Sequence, residues 1–154
     1  MDSPLVIRTV QPQDWTQWLP LWHGYNAFYG RAGAMALADE ITRSTWSRLF
    51  DGYEPVHALV AQQGEQLVGL THYLFHRSTT RLGPNCYLQD LYTAEAARGR
   101  GVGRALIEAV GERAKAAGAG SVYWQTHQTN TTAMRLYDQV AAKSGFIVYR
   151  RELG

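Results

Sequence analysis

The chain has 154 residues, of which 45% are hydrophobic and 18% charged, with a formal net charge of +2 at pH 7. That is ordinary globular composition on a length that suits one domain, residues 1–154, with a core of its own. So small a charge gives no argument for nucleic acid or a membrane surface, and neither is expected as a partner. No apolar run approaches the ~18 residues of a membrane span. The first ten residues lack the basic start and long apolar stretch of a signal peptide, and Cys86 is the one cysteine, so no internal disulfide forms. A reducing, cytoplasmic setting is expected.

Leu5–Val10 reads as a first strand. Pro12 and Asp14 then open a helical run with Trp15, Trp18, Leu19, Trp22, Tyr25 and Tyr29 at helical spacing. Pro20, inside it, should kink that helix or split it. A second helix is expected over roughly Ala38–Phe50. Val56–Gln62 and Gln66–His76 form a hairpin around Gln63-Gly64-Glu65. A loop leads to a strand at Asn85–Thr93, then a helix from about Gly101 to Ala117. That helix has its apolar face at Val102, Leu106, Ile107, Val110, Ala114 and Ala117, and a stop at Gly118. Ser121–Thr126 reads as a strand, Asn130–Lys143 as a helix and Phe146–Glu152 as a last strand. The fold is therefore α/β with a mixed central sheet, in the order β-α-α-β-β-β-α-β-α-β. The strands flanking the Gly101 helix should be parallel, joined by a right-handed crossover.

The most informative stretch is Arg98-Gly99-Arg100-Gly101-Val102-Gly103-Arg104, between a strand and an amphipathic helix. Alternate glycines let the backbone turn tightly and present its N–H groups. The helix start adds unpaired donors and a partial positive charge. With three arginines around it, this is a receptor for a phosphorylated ligand. A P-loop would need Gly-Lys followed by Ser or Thr, where this chain has Gly103-Arg104-Ala105. A dinucleotide fingerprint would place its third glycine where Leu106 stands, and expects an acid where Thr126 and His127 stand.

The segment resembles instead the acyl-CoA site of the GNAT superfamily of N-acetyltransferases. Arg98, Gly101 and Gly103 fill that family's Gln/Arg-x-x-Gly-x-Gly/Ala pattern. Leu88-Gln89-Asp90-Leu91-Tyr92-Thr93 is similar to its central strand. Asn130 to Tyr137 resembles its second motif, and Gly145-Phe146 fits its ending. Trp124-Gln125-Thr126-His127 and Leu136-Tyr137-Asp138 look most like the histone- and polyamine-acetyltransferase-like branch. The resemblance implies acetyl-CoA as cosubstrate, with the pyrophosphate on the backbone of Arg98, Gly99, Arg100, Gly101, Val102, Gly103 and Arg104. It further implies that the pantetheine arm pairs along Leu91, Tyr92 and Thr93, and that Asn130 meets a pantetheine amide. The N–H of Leu91 or Tyr92 would stabilise the oxyanion, which needs a bulge or splay in the strand. Tyr137 would protonate the leaving thiolate.

Acetyl transfer to an amine also needs the amine neutral. An alkylamine with a pKa of ~10.4 gives up its proton at neutral pH at a cost of about 4 kcal/mol. Asp90, an acid among the apolar residues of its strand, is the candidate base, the alternative being a hydrogen-bonded structural carboxylate. His127 is a candidate to line the substrate site and shuttle a proton. His72 and His76 share a strand face, but a metal would need further ligands, and none is expected. Trp22, Tyr25 and Tyr29 are candidates for an acceptor wall that holds an amine by cation–π contact, whereas Trp15 and Trp18 read as core. Asp39, Glu40 and Glu54 are candidates to attract a second amine. The acceptor class stays open among polyamine, free amino acid and lysine side chain. A noncatalytic acyl-CoA sensor and a nucleotide-binding regulatory domain are the competing readings. The aromatic content suits a homodimer.

Overall fold

The computed structural model describes residues 3–154. The chain divides into two compact units, Met1–Trp124 and Gln125–Gly154.

The first unit holds a five-stranded sheet in the order β1-β2-β3-β4-β5. Its strands are β1 (Leu5–Thr9), β2 (Val56–Gln63), β3 (Gln66–His76), β4 (Asn85–Thr93) and β5 (Val122–Tyr123). The first four are antiparallel neighbours, and β5 joins β4 in parallel. This unit's helices are α1 (Trp15–Phe28), α2 (Asp39–Arg48) and α3 (Val102–Ala116).

Strand alternation sorts the helices onto the two sheet faces. From β2 and β3, Ala58, Val60 and Leu70 join one buried cluster with Trp18, Leu21, Trp22 and Tyr25 of α1. Gly69, one residue from Leu70, faces Val102 and Leu106 of α3. So α1 and α3 cover opposite faces. The α1 face is an aromatic ladder: Trp15, Trp18, Trp22 and Tyr25 stack in sequence at centroid spacings of 5.8, 5.5 and 5.8 Å. Each such pair adds about 0.5–1.5 kcal/mol beyond burial. Trp46 of α2 packs against Trp15 and Trp18. The α3 face buries Val102, Leu106, Ile107, Val110 and Ala114, as their spacing requires, while Ala117 lies past the helix and is exposed.

Three expectations need correction. Pro20 does not split α1, which runs unbroken through it. Pro20 and Thr16, the residue whose carbonyl loses its helical donor, are both exposed, so water can serve that group. The strand expected over Ser121–Thr126 is only Val122–Tyr123, because its pairing ends at Tyr87, just ahead of an irregularity in β4. The last strand expected over Phe146–Glu152 is not formed. A strand exists only through its ladder, and Phe146, Ile147, Val148 and Tyr149 are 66–91% exposed in irregular backbone.

The second unit contains α4 (Thr131–Val140). It starts where expected and stops short of Lys143, the chain becoming extended at Ala141. Among the described residues no helix is long and apolar enough to cross a membrane.

Candidate active site

β4 changes character halfway along. Cys86 and Tyr87 pair with β5, and the outer edge beyond them is past the last β5 pair. On the other side Leu88 pairs with Tyr73 but Asp90 with His72, so Gln89 is an inserted residue, a β-bulge. One inserted residue reverses the alternation of a strand. Leu88 therefore shares the α3 face with Tyr73, whereas Asp90 and Tyr92 share the α1 face with His72 and Leu70.

The backbone reverses with it. Cys86 N–H donates to Ser121 O at 3.0 Å, toward β5, whereas Ala94 N–H donates to Val68 O at 2.8 Å, toward β3. Stepping back from Ala94 by twos turns the N–H groups of Tyr92 and Asp90 toward β3 and leaves those of Leu91 and Thr93 on the outer edge. Of the two N–H groups the sequence left open, the register turns that of Leu91 to the outer edge and that of Tyr92 toward β3.

The glycine turn lies just past that edge. Gly99 and Gly101 have φ of 79° and 83°, in the left-handed region, and Gly101 caps α3. The first intrahelical bond is Ala105 N–H to Gly101 O at 3.0 Å. The N–H groups of Val102 and Gly103 thus precede the ladder, at the positive end of the helix dipole. Arg98 is held at the end of β4: its Nε donates to Thr93 O at 3.3 Å and its guanidinium lies 5.7 Å from the Tyr92 ring centre. Arg104 approaches Glu108 at 4.0 Å, and Arg100 is exposed. Gly69 seats this turn, since a Cβ there would lie 2.9 Å from Val102 Cγ1 and 3.0 Å from Tyr92 O.

Behind the edge runs a buried chain of hydrogen bonds. Trp18 Nε1–H donates to His72 Nε2 at 3.1 Å. An indole N–H only donates, so His72 carries its proton on Nδ1, which donates to Asp90 Oδ2 at 2.9 Å. The Tyr25 hydroxyl faces the same carboxylate; burial first, then the charge of Asp90, pushes this phenol well above the ordinary tyrosine range. Sequence reasoning missed His72 as the partner of Asp90. Only the bulge register makes the two a cross-strand pair, though an acid and a histidine on neighbouring strands were a signal.

The expected acceptor wall is only partly present. Trp22 is core: it is buried between Trp18 and Tyr25, and its Nε1 donates to Thr42 Oγ1 of α2 at 3.1 Å. Tyr25 is buried, whereas Tyr29 is exposed. A cation does lie against these rings, but it is the chain's own Arg31, 5.3 Å from the Tyr29 centre and 5.9 Å from that of Tyr25. Asp39 is engaged by Arg43 Nε at 2.6 Å. His76 meets Tyr123 Oη and Arg77 O, so the two strand histidines serve separate contacts.

In the second unit, Asn130 caps α4, its Oδ1 accepting from Ala133 N–H at 3.4 Å. His127 Nδ1 accepts from the Thr129 N–H at 3.2 Å and lies 2.6 Å from Thr129 Oγ1, which leaves its proton on Nε2 and fixes the turn into the helix. Tyr137 sits on α4, half-buried like Leu136 and Val140.

Comparison with known proteins gives a consistent result. The model of the Acetyltransferase (GNAT) family matches residues 18–141. A D-amino-acid N-acetyltransferase of Saccharomyces cerevisiae is 34% identical over 98% of this chain and 92% of its own. A thialysine N-epsilon-acetyltransferase of Bos taurus is 32% identical over 70% of this chain and 69% of its own. Among solved structures, an aminoglycoside N-acetyltransferase in complex with CoA superposes with a TM-score of 0.80 at 16% identity, covering 97% of this chain and 95% of that one.

Proposed function

Because this chain belongs to the GNAT family of acetyltransferases, and with its curated relatives is an acetyl-CoA-dependent N-acetyltransferase, we propose that it acetylates the primary amine of a small molecule by direct attack in a ternary complex. The observation that carries this reading is the outer edge of β4, unpaired with β5 past Tyr87 and followed by the glycine turn. Acetyl-CoA lays its pantetheine arm along Leu91–Thr93 and its pyrophosphate on the turn from Arg98 to Arg104, with Asn130 meeting a pantetheine amide. The amine nitrogen attacks the thioester carbon, and the carbonyl oxygen takes up charge against the Leu91 N–H, a contact worth about 3 kcal/mol in sites of this kind. The C–S bond then breaks, and the thiolate takes a proton from the Tyr137 hydroxyl.

Asp90 is the proposed proton acceptor for the attacking amine. A carboxylate has about four lone-pair sites, so the donor from His72 orients it without filling it. Tyr25, Tyr29 and His127 remain as proposed acceptor-side residues. The yeast and bovine relatives are named for amino-acid-type acceptors, which supports a small amine over a protein tail. The exposed apolar run Phe146–Tyr149 supports a homodimer, and lone, buried Cys86 supports a reducing cytoplasmic setting.

The test is acetyl-CoA-dependent release of free thiol with leucine, lysine, spermidine and a lysine-containing peptide. Turnover with the small amines supports the reading. Silence across them, with CoA bound in calorimetry, overturns it in favour of a sensor.

A further inference from the structure

Arg31 is held by one side-chain hydrogen bond and two aromatic rings, and these partners are all neutral. After α1 the backbone reverses at Gly30, φ 80°, and Arg31 N–H donates to Asn26 O at 2.8 Å. Its Nε donates to Asn26 Oδ1 at 2.7 Å. Asn26 is itself buried, and its Nδ2 is spent on Trp22 O at 2.9 Å. The guanidinium lies over Tyr25 and Tyr29. Arg8, Arg43 and Arg104 each approach a carboxylate. Among the described residues none approaches Arg31, whose Nη end is left for an outside acceptor.

Its position gives this a meaning. The Tyr25 ring under Arg31 is the one whose hydroxyl faces Asp90, and Asp90 immediately precedes Leu91. A fixed positive charge therefore stands one tyrosine ring from the proposed reaction centre. It repels an acceptor with several ammonium groups and favours one with a carboxylate close to its amine. We infer that Arg31 is the specificity-determining residue for the acceptor: its Nη groups take a carboxylate, so the acceptor is an amino acid whose amine is presented toward Leu91. This rests on the acetyl-transfer reading above. The planar fork matches a carboxylate in two parallel hydrogen bonds, and stacking on two rings fixes the fork before the ligand arrives. The same charge also favours the neutral form of the acceptor amine, the form that attacks.

The experiment compares D- and L-leucine with leucinamide, isoamylamine and spermidine in the thiol-release assay, for wild type, R31K and R31Q. CoA affinity is measured alongside by calorimetry. Wild type should favour one leucine enantiomer over leucinamide and isoamylamine in KM. R31Q should raise KM for leucine roughly ten- to hundredfold and erase the preference over leucinamide. R31K, which keeps the charge without the fork, should recover part of it. CoA affinity within about twofold of wild type shows that R31Q is folded. If R31Q shifts KM equally for leucine and leucinamide, or wild type prefers spermidine, the assignment of Arg31 falls while acetyl transfer stands. If no amine turns over although CoA binds, the acetyl-transfer reading falls and takes this inference with it.

Discussion

Replacing Gly69 by alanine tests whether the start of α3 is seated on the sheet as described. The added methyl would lie 2.9 Å from Val102 Cγ1, 3.0 Å from Tyr92 O and 3.2 Å from Leu106 Cδ1. The Tyr92 carbonyl belongs to the β3–β4 ladder and cannot retreat without loss of pairing. The relief must come from Val102, the first residue of α3, so the turn that carries Gly99 and Gly101 moves with it. Overpacking of this kind costs about 1–3 kcal/mol. At about 2–4 °C per kcal/mol for a chain of this size, the melting temperature falls measurably in calorimetry. CoA affinity should fall by about tenfold or more, because the displaced turn no longer lines up with the Leu91–Thr93 edge. Gly111→Ala is the control: a Cβ there meets nothing within 4 Å, so in mid-helix it should stabilise by about 0.5–1 kcal/mol. If Gly69→Ala melts with wild type and binds CoA as well, α3 is not packed on β3 and β4 in this way.

Three further outcomes follow from individual residues. Tyr137→Phe should lower kcat about a hundredfold with CoA affinity within about twofold, and an unchanged kcat would remove it as the acid. Gly101→Val meets no neighbour within 4 Å, yet places a β-branched residue at φ 83°. It should cost about 1–2 kcal/mol of stability and a larger share of CoA affinity, whereas unaltered CoA binding would disconnect the turn from the pyrophosphate. Asp14 accepts from Arg8 Nη1 at 2.8 Å and from Gln11 N–H at 2.7 Å, and the Arg8 hydrogen bond holds its carboxyl below the ordinary range. Its stabilisation is complete above the unfolded pKa of ~3.9 and is lost as pH falls through the lower folded value. Asp14→Asn should therefore flatten the acid limb of a pH–stability curve below about pH 4, and an unchanged limb would refute the pairing.

The sequence reading succeeded where a pattern is local. The 3.6-residue spacing from Val102 to Ala114 placed α3 and its buried face, the Gln63-Gly64-Glu65 turn placed the hairpin, and Arg98 to Gly103 marked the helix start facing β4. It failed where the cause is long-range. Nothing near Gln89 announces an inserted residue, because a bulge is defined by its partner strand. Asp90 therefore looked out of place, when the register puts it on the same face as His72 and Tyr25. The aromatic stripe of α1 was visible, but period alone could not tell Trp22, whose indole bonds to Thr42, from Tyr25, whose hydroxyl meets Asp90. Phe146–Tyr149 has strand composition without a strand, since composition does not supply a ladder.

Amide hydrogen exchange resolved by residue, with and without CoA, reads out whether the outer edge of β4 receives the acyl-CoA arm. CoA should slow exchange at Leu91 and Thr93 and at the N–H groups of Val102 and Gly103, with little change at Asp90 and Tyr92, whose N–H groups already face β3. CoA bound with no slowing at Leu91 and Thr93, or with protection confined to other elements, would contradict it.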